Sequence, residues 1–238
     1  MSYCCFISDL HLTPARPEIT RALDNFLSEH RSSDALYILG DLFETWVGDD
    51  DNDALANQVR SLLQTFTLAG PAVHILHGNR DFLLAQRFCT DTGTNLLAEG
   101  GVIDLYGTPT LLLHGDTLCT DDRDYQALRH DLRQPLWQAN FLQQSLAERR
   151  DQAAQLRNLS QAALAHKAEA ITDVNAKAVD LAMAQHGVAQ LIHGHTHRPG
   201  RHTNALGERL VLGDWDLQGW WVKAESNNIQ LLNFDIDQ

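Results

Sequence analysis

An α/β fold layered around a central sheet is what this sequence predicts, on two observations. Short apolar runs of strand length each break off abruptly into a cluster of Gly with Asp, Asn or His, and helical periodicities lie between several of those runs. The first run, residues 3–7, ends at SDLH. Ile19, Leu23, Phe26 and Leu27 follow at the spacing of one helix face. A second run, 35–39, ends at GDLFE, and Leu55, Val59, Leu62, Leu63 and Phe66 predict the next helix. Runs at 72–76, 110–113 and 189–192 end at HGNRD, HGD and HGHTH. Unbroken Val/Ile/Leu strands suit a sheet covered on both faces. In such sheets ligands collect beyond the carboxyl ends of the strands, so clusters far apart in sequence are expected to converge in space.

Residues 121–170 interrupt the alternation. Leucines recur there at roughly helical spacing in a Gln/Ala/Arg-rich background, and Pro135 marks a helix start or kink. The expected organisation is one core made of residues 1–120 and 171–238, with 121–170 as a helical insertion. The segments VLGDWDLQGW and IQLLNF predict further strands that complete a sheet.

Composition narrows the function. The 238 residues are 44% hydrophobic and 21% charged, ordinary for a globular chain with a substantial core. A formal net charge of −13 argues against broad nucleic-acid binding. The stretch 123–167 is the exception, with seven basic and four acidic residues, which suggests a local anion site. The start, MSYCCFISDLHL, lacks a basic n-region, and no apolar run approaches the roughly 20 residues that span a bilayer. A cytoplasmic protein is expected. Cys4, Cys5, Cys89 and Cys119 form no CxxC pair and predict buried free thiols.

Taken singly, Asp9 with His11 reads as a capped turn, Asp41 as a helix cap, Asn79 as a turn residue and His114 as a satisfied core histidine. Five such clusters, each directly after an apolar run, make chance the weaker explanation. The expected metal ligands are Asp9, His11, Asp41, Asn79, His114, His195 and His197. Carboxylate, imidazole and one amide oxygen, without thiolate, suit Mn²⁺, Fe²⁺ or Zn²⁺. Seven ligands exceed one tetrahedral site, so two ions sharing a carboxylate, with Asp41 as the natural bridge, fit better. Such pairs lie about 3.5 to 4 Å apart and serve phosphoryl transfer.

DLH, GD, GNRD, HGD and GHTH, in this order over residues 7–198, resemble the motif set of calcineurin-like metallophosphoesterases. The resemblance implies a four-layer fold, a two-sheet sandwich flanked by helices, with two bound metals. Many monoesterases of that family read GNH, whereas this chain has Gly78-Asn79-Arg80-Asp81. Arg stays protonated and cannot act as a general acid. A phosphomonoester leaving group, with its second pKa of about 6, needs no such donor. Arg80 therefore favours a pyrophosphate whose oxygens it can grip.

GNRDF, GDLFETWVGDD, the basic insertion, IHGHTHRP and GDWDLQGW together are similar to one subfamily, the UDP-2,3-diacylglucosamine diphosphatases of lipid A biosynthesis. That resemblance implies hydrolysis of UDP-2,3-diacylglucosamine to 2,3-diacylglucosamine 1-phosphate (lipid X) and UMP by a monomer carrying two divalent ions, Mn²⁺ in the first place. The enzyme would sit peripherally on the cytoplasmic face of the bacterial inner membrane and take no nucleic acid. It also implies catalytic roles for Asp41, Asn79, Arg80 and His195, and substrate contacts at Asn79, Arg80, Asp122, Ser160, Lys167 and His195. Leu164 stands where some members have a polar residue.

The insertion then becomes a lipid-binding cap, lined by Trp46, Tyr125, Trp137 and Phe141, with Arg149, Arg150 and Arg157 as a cationic face toward anionic lipid. Two other classes remain open: a phosphoesterase for nucleotides or phosphoproteins, and a non-catalytic scaffold of the same fold. The complete ligand set disfavours the scaffold. The insertion is unexplained by a generic phosphoesterase.

Overall fold

The computed structural model describes residues 2–164 and 171–237. In chain order its elements are β1 Cys4–Ile7, α1 Pro17–Glu29, β2 Ala35–Leu39, α2 Ala54–Leu68, β3 Ala72–Leu76, α3 Gln86–Thr92, β4 Asn95–Leu96, β5 Gly101–Leu105 and β6 Thr108–Leu112. A 3₁₀ turn at Asp116–Leu118 leads into α4 Arg123–Leu132, α5 Pro135–Leu142 and α6 Leu146–Leu164. The chain resumes with α7 Ala176–His186, β7 Gln190–His193, β8 Gly200–Thr203, β9 Glu208–Val211, β10 Gln218–Glu225 and β11 Asn228–Asp235.

Local chemistry sets the ends of these elements. Pro17 opens α1, where its missing N–H costs nothing. Asp53 caps α2 by accepting from the Ala56 N–H at 2.7 Å. Asn175 caps α7 by accepting from the Lys177 and Ala178 N–H groups, and Gly187, with φ of +63°, stops it.

The strands form two sheets, one in the order β11-β10-β1-β2-β3-β4 and the other β5-β6-β7-β9-β8. β1, β2, β3 and β4 run parallel, as do β6, β7 and β9. Because side chains alternate across a strand, β1 splits its residues between two cores. Cys4 and Phe6 join Leu39, Leu76, Leu112, Ile192 and Leu210 between the sheets. Cys5 and Ile7 face outward against Leu23, Phe26, Val59 and Leu63 of α1 and α2. Leu111 and Leu191 pack outward on the other side against Val179 and Met183 of α7. The result is four layers, helix, sheet, sheet, helix. The four cysteines are buried and free.

Helices α4, α5 and α6 leave and re-enter the core at one place. The Asn175 N–H donates to Leu118 O at 2.9 Å, and the Asn175 amide donates to Asp121 Oδ2 at 2.9 Å. The arginines of this segment differ from the sequence expectation of a lipid-facing cationic rim. Arg149, only 3% exposed, is bound to Asp50 and to Val47 O; Arg150 pairs with Asp51 at 2.5 Å, and Arg157 pairs with Glu44. They fasten the helices to acidic loops of the core; for Arg149 burial itself demands a partner, while Arg150 remains 47% exposed. Large apolar side chains are also exposed on these helices, Leu136 at 73% and Leu159 at 68%.

Candidate metal centre

Each motif residue sits where a strand gives way to a tight loop, and the backbone there is unusual. Among the described residues six non-glycine positions have positive φ, and five of them are Asp9, His11, Asp41, His195 and His197. Left-handed backbone is uncommon outside glycine, and its concentration here is the structural mark of a site held against its own preference. Glycines make room beside these residues. A Cβ on Gly78 would lie 2.0 Å from Asp41 Oδ1, and one on Gly194 would lie 2.2 Å from Asp9 Oδ2.

The side chains converge as follows. His11 Nε2 lies 3.2 Å from His197 Nε2 and 3.9 Å from both Asp9 Oδ1 and Asp41 Oδ2. His197 Nε2 is 3.4 Å from Asp9 Oδ1, and His114 Nε2 is 3.7 Å from Asp41 Oδ2 and 2.9 Å from the Asn79 amide oxygen. Among the described residues two sets have the spacing to hold an ion, Asp9 with His11 and His197, and Asp9 with Asp41 and His114. Asp9 is common to both sets, while Asp41 Oδ2 also reaches toward a histidine on each side. The His195 ring packs edge-on to His114, with centroids 4.9 Å apart, and its backbone N–H donates to Asp9 Oδ2 at 2.9 Å.

Asp9 Oδ1 tests the fit of a cation. It is buried and accepts no hydrogen bond, whereas Oδ2 accepts from Ser8 Oγ at 2.6 Å and from the His195 N–H. A carboxylate oxygen aimed unpartnered at the His11 and His197 imidazoles suits a divalent ion. The outer contacts agree. His114 Nδ1 donates to Leu39 O at 2.9 Å, His197 Nδ1 faces Asp214 at 3.2 Å and His11 Nδ1 faces Glu44 at 3.0 Å, leaving each Nε2 turned inward.

Charge follows the geometry. Burial works against His197, but contacts with Asp214 and Asp9 outweigh it and lift its pKa to about 10. Burial and the neighbouring His114 push His195 down to about 4. Burial and the nearby Asp41 raise Asp81 to about 6. Asp81 accepts the N–H groups of Gly78, at 2.8 Å, and Leu42, at 2.7 Å, so it ties the loop bearing Asp41 to the loop bearing Asn79.

The remaining expected residues fall around this centre. Arg80 lines both a polar cleft with His11, Asp41, His195 and His197 and an apolar cleft with Trp46, Phe82, Tyr125, Trp137, Phe141 and Leu156. Its Nε is buried and unpartnered. Asn79, Arg80, Asp122, Ser160 and His195 share a third lining between α4 and α6. Asp122 also caps α4, accepting from the Tyr125 N–H at 3.1 Å. Lys167 lies outside the described residues. Glu44, Asp81, Asp116 and Asp214 stand inside the motifs GDLFE, GNRD, HGD and GDW, yet only the structure shows what they touch.

The chain matches the model of the calcineurin-like phosphoesterases over residues 4–199. It is 53% identical over 236 residues to a UDP-2,3-diacylglucosamine hydrolase of Cellvibrio japonicus, covering 97% of this chain and 98% of that one. A protein of the same name from Pseudomonas paraeruginosa is 50% identical, with 93% and 95% covered, and one from Yersinia pestis is 47% identical, with 96% and 98% covered. Among solved structures an archaeal phosphodiesterase superposes with a TM-score of 0.52 at 11% identity, covering 98% of this chain and 99% of that one, a likeness of fold.

Proposed function

The chain belongs to the calcineurin-like phosphoesterases, and from that premise we propose that it hydrolyses the diphosphate bond of UDP-2,3-diacylglucosamine, giving 2,3-diacylglucosamine 1-phosphate and UMP, a step of lipid A biosynthesis. One observation carries this reading. The polar cleft of the metal centre and an apolar cleft under the helical segment meet at Asn79 and Arg80. A diphosphate joined to a diacylated sugar needs that junction, because its phosphates want cations while each buried CH₂ of its chains contributes about 0.8 kcal/mol.

Asp9, His11, Asp41, Asn79, His114, His195 and His197 would hold two divalent ions, Mn²⁺ first among them. Ions held there would supply Lewis acidity toward phosphoryl oxygens and would lower the pKa of water toward neutrality. The chain's own residues do the rest. Arg80 grips diphosphate oxygens with its free Nε, and Asn79 and His195 orient the phosphates. Asp122, Ser160 and Lys167 would make further substrate contacts, and residues 121–170 would form the lipid-binding cap. No described helix is long and apolar enough to cross a membrane. Leu136 and Leu159, exposed on the cap, support peripheral association with the inner membrane, with the enzyme acting as a monomer on its cytoplasmic face.

The test is hydrolysis in ¹⁸O-labelled water. Attack at the phosphorus bonded to uridine places the label in UMP. Label found only in the sugar phosphate reverses the direction of attack, and equal turnover of simple phosphomonoesters returns the protein to a generic phosphatase.

A further inference from the structure

His11 and His197, whose Nε2 atoms meet, are each backed by a carboxylate, but the two carboxylates are held differently. Asp214, behind His197, lies in the loop after β9. Glu44, behind His11, follows β2, and while its Oε2 lies 3.0 Å from His11 Nδ1, its Oε1 pairs with the Arg157 guanidinium on α6. Glu44 and Arg157 are 25% and 26% exposed, so their attraction is only partly screened by solvent. His11 Nδ1 and Arg157 Nε make no hydrogen bond of regular geometry, so Glu44 acts on both through close electrostatic contact. A carboxylate that close behind Nδ1 favours the ring angle and tautomer that turn the Nε2 lone pair inward. His11, with φ of +49°, sits in strained backbone and depends on such outer support.

We propose that Glu44 is a positioning residue for His11 and that α6, through Arg157, holds Glu44 in place, so that the cap helps to build the ion position beside His11. This rests on the two-ion reading of the centre. Arg157 has two opposite effects available to it. As a bare cation it repels a divalent ion, and its removal then tightens binding; as the holder of Glu44 it supports His11, and its removal then loosens binding. The geometry assigns the second, because Glu44 stands between the guanidinium and the imidazole and neutralises the former.

The experiment strips the full chain of metal with a chelator and titrates it with Mn²⁺ alone, following the free ion by electron paramagnetic resonance. The wild type is expected to bind two ions. Glu44→Gln keeps the side-chain size and is expected to weaken one of the two positions about 10- to 100-fold while leaving the other unchanged. Glu44→Asp, which keeps the charge but shortens the reach, is expected to weaken the same position less. Arg157→Met is expected to weaken that position several-fold in the wild type and to add nothing in the Glu44→Gln background. A merely structural role lowers the melting temperature without separating the two positions. Unchanged or tighter Mn²⁺ binding in Arg157→Met, or equal weakening of both positions in Glu44→Gln, overturns the proposal. A wild type that binds no Mn²⁺ overturns the reading of the centre itself, and this inference with it.

Discussion

His11 and His197, 186 residues apart in the chain, bring their Nε2 atoms to within 3.2 Å of each other. With each Nδ1 turned to a carboxylate, one Nε2 must carry a proton when no cation lies between them, and a divalent ion displaces it. Chelation is therefore expected to stop turnover and lower the melting temperature, and added Mn²⁺ to restore both in a concentration-dependent way. Asp41→Ala and His195→Ala are expected to abolish turnover while circular dichroism shows the sheets intact. Near wild-type activity of either at saturating Mn²⁺ would sink the ligand assignment.

Arg80 has a buried Nε without a partner where the two clefts meet. Arg80→Lys keeps the charge but loses the planar fork. A charged hydrogen bond is worth about 1.5–3 kcal/mol, so kcat/KM for the diacylated substrate is expected to fall roughly 10- to 100-fold. Steady-state kinetics at saturating Mn²⁺ decide it, and an unchanged kcat/KM removes Arg80 from the phosphate grip.

Asp116, 1% exposed, accepts from Tyr125 Oη at 2.8 Å and from Arg129 Nε at 2.7 Å, both on α4. Burial pushes its carboxyl up, but His114, His195 and Arg129 hold it well below the usual range. A depressed carboxyl stabilises the fold above its unfolded pKa of about 3.9, and that contribution fades as pH falls toward the folded value. Asp116→Asn is expected to cost about 3 kcal/mol at neutral pH, with the gap to wild type shrinking below about pH 4. Urea unfolding across that range checks it.

Arg149 is fastened to Asp50 and Val47 O, so Arg149→Gln is expected to cost about 2 kcal/mol of stability without weakening liposome binding. Leu136→Gln with Leu159→Gln is expected to do the reverse. Thermal unfolding and liposome flotation separate the two, and loss of flotation in Arg149→Gln would restore the arginines as lipid contacts.

Because the chain leaves and rejoins the core beside Leu118 and Asn175, residues 123–170 are expected to tolerate replacement by a short linker. Such a protein should retain metal, more weakly at the position beside His11, and some hydrolysis of small activated phosphodiesters, but lose the acylated substrate. Full activity on the acylated substrate would reduce the cap to decoration.

What was legible in the sequence was whatever a strand-to-loop transition writes locally. Asp9, Asp41, Asn79, His114 and His195 each follow an apolar run, and the structure brings them together. Glu44, Asp116 and Asp214 were passed over because their importance arises from what they touch, not from their place after a strand. The cap arginines are hidden from the sequence for the same reason: charge along a segment does not say that Asp50, Asp51 and Glu44 stand opposite. β4, with two residues, and β8, GRHT, with a polar face, offer no apolar run to read. In α7 only Val179 and Met183 are buried, too few for a periodicity, although Asn175 and Gly187 mark its ends.

The left-handed backbone at Asp9, His11, Asp41, His195 and His197 bears on how the protein can change over generations. Each such residue costs on the order of 1 kcal/mol relative to a relaxed conformation, and five together approach the roughly 5–15 kcal/mol that separates a folded domain from its unfolded chain. Glycine at any of the five relieves that strain while removing a side chain that the proposed ion centre needs. Mutational drift toward sturdiness and drift toward inactivity therefore point the same way at these positions, and only selection for turnover holds the chain against both.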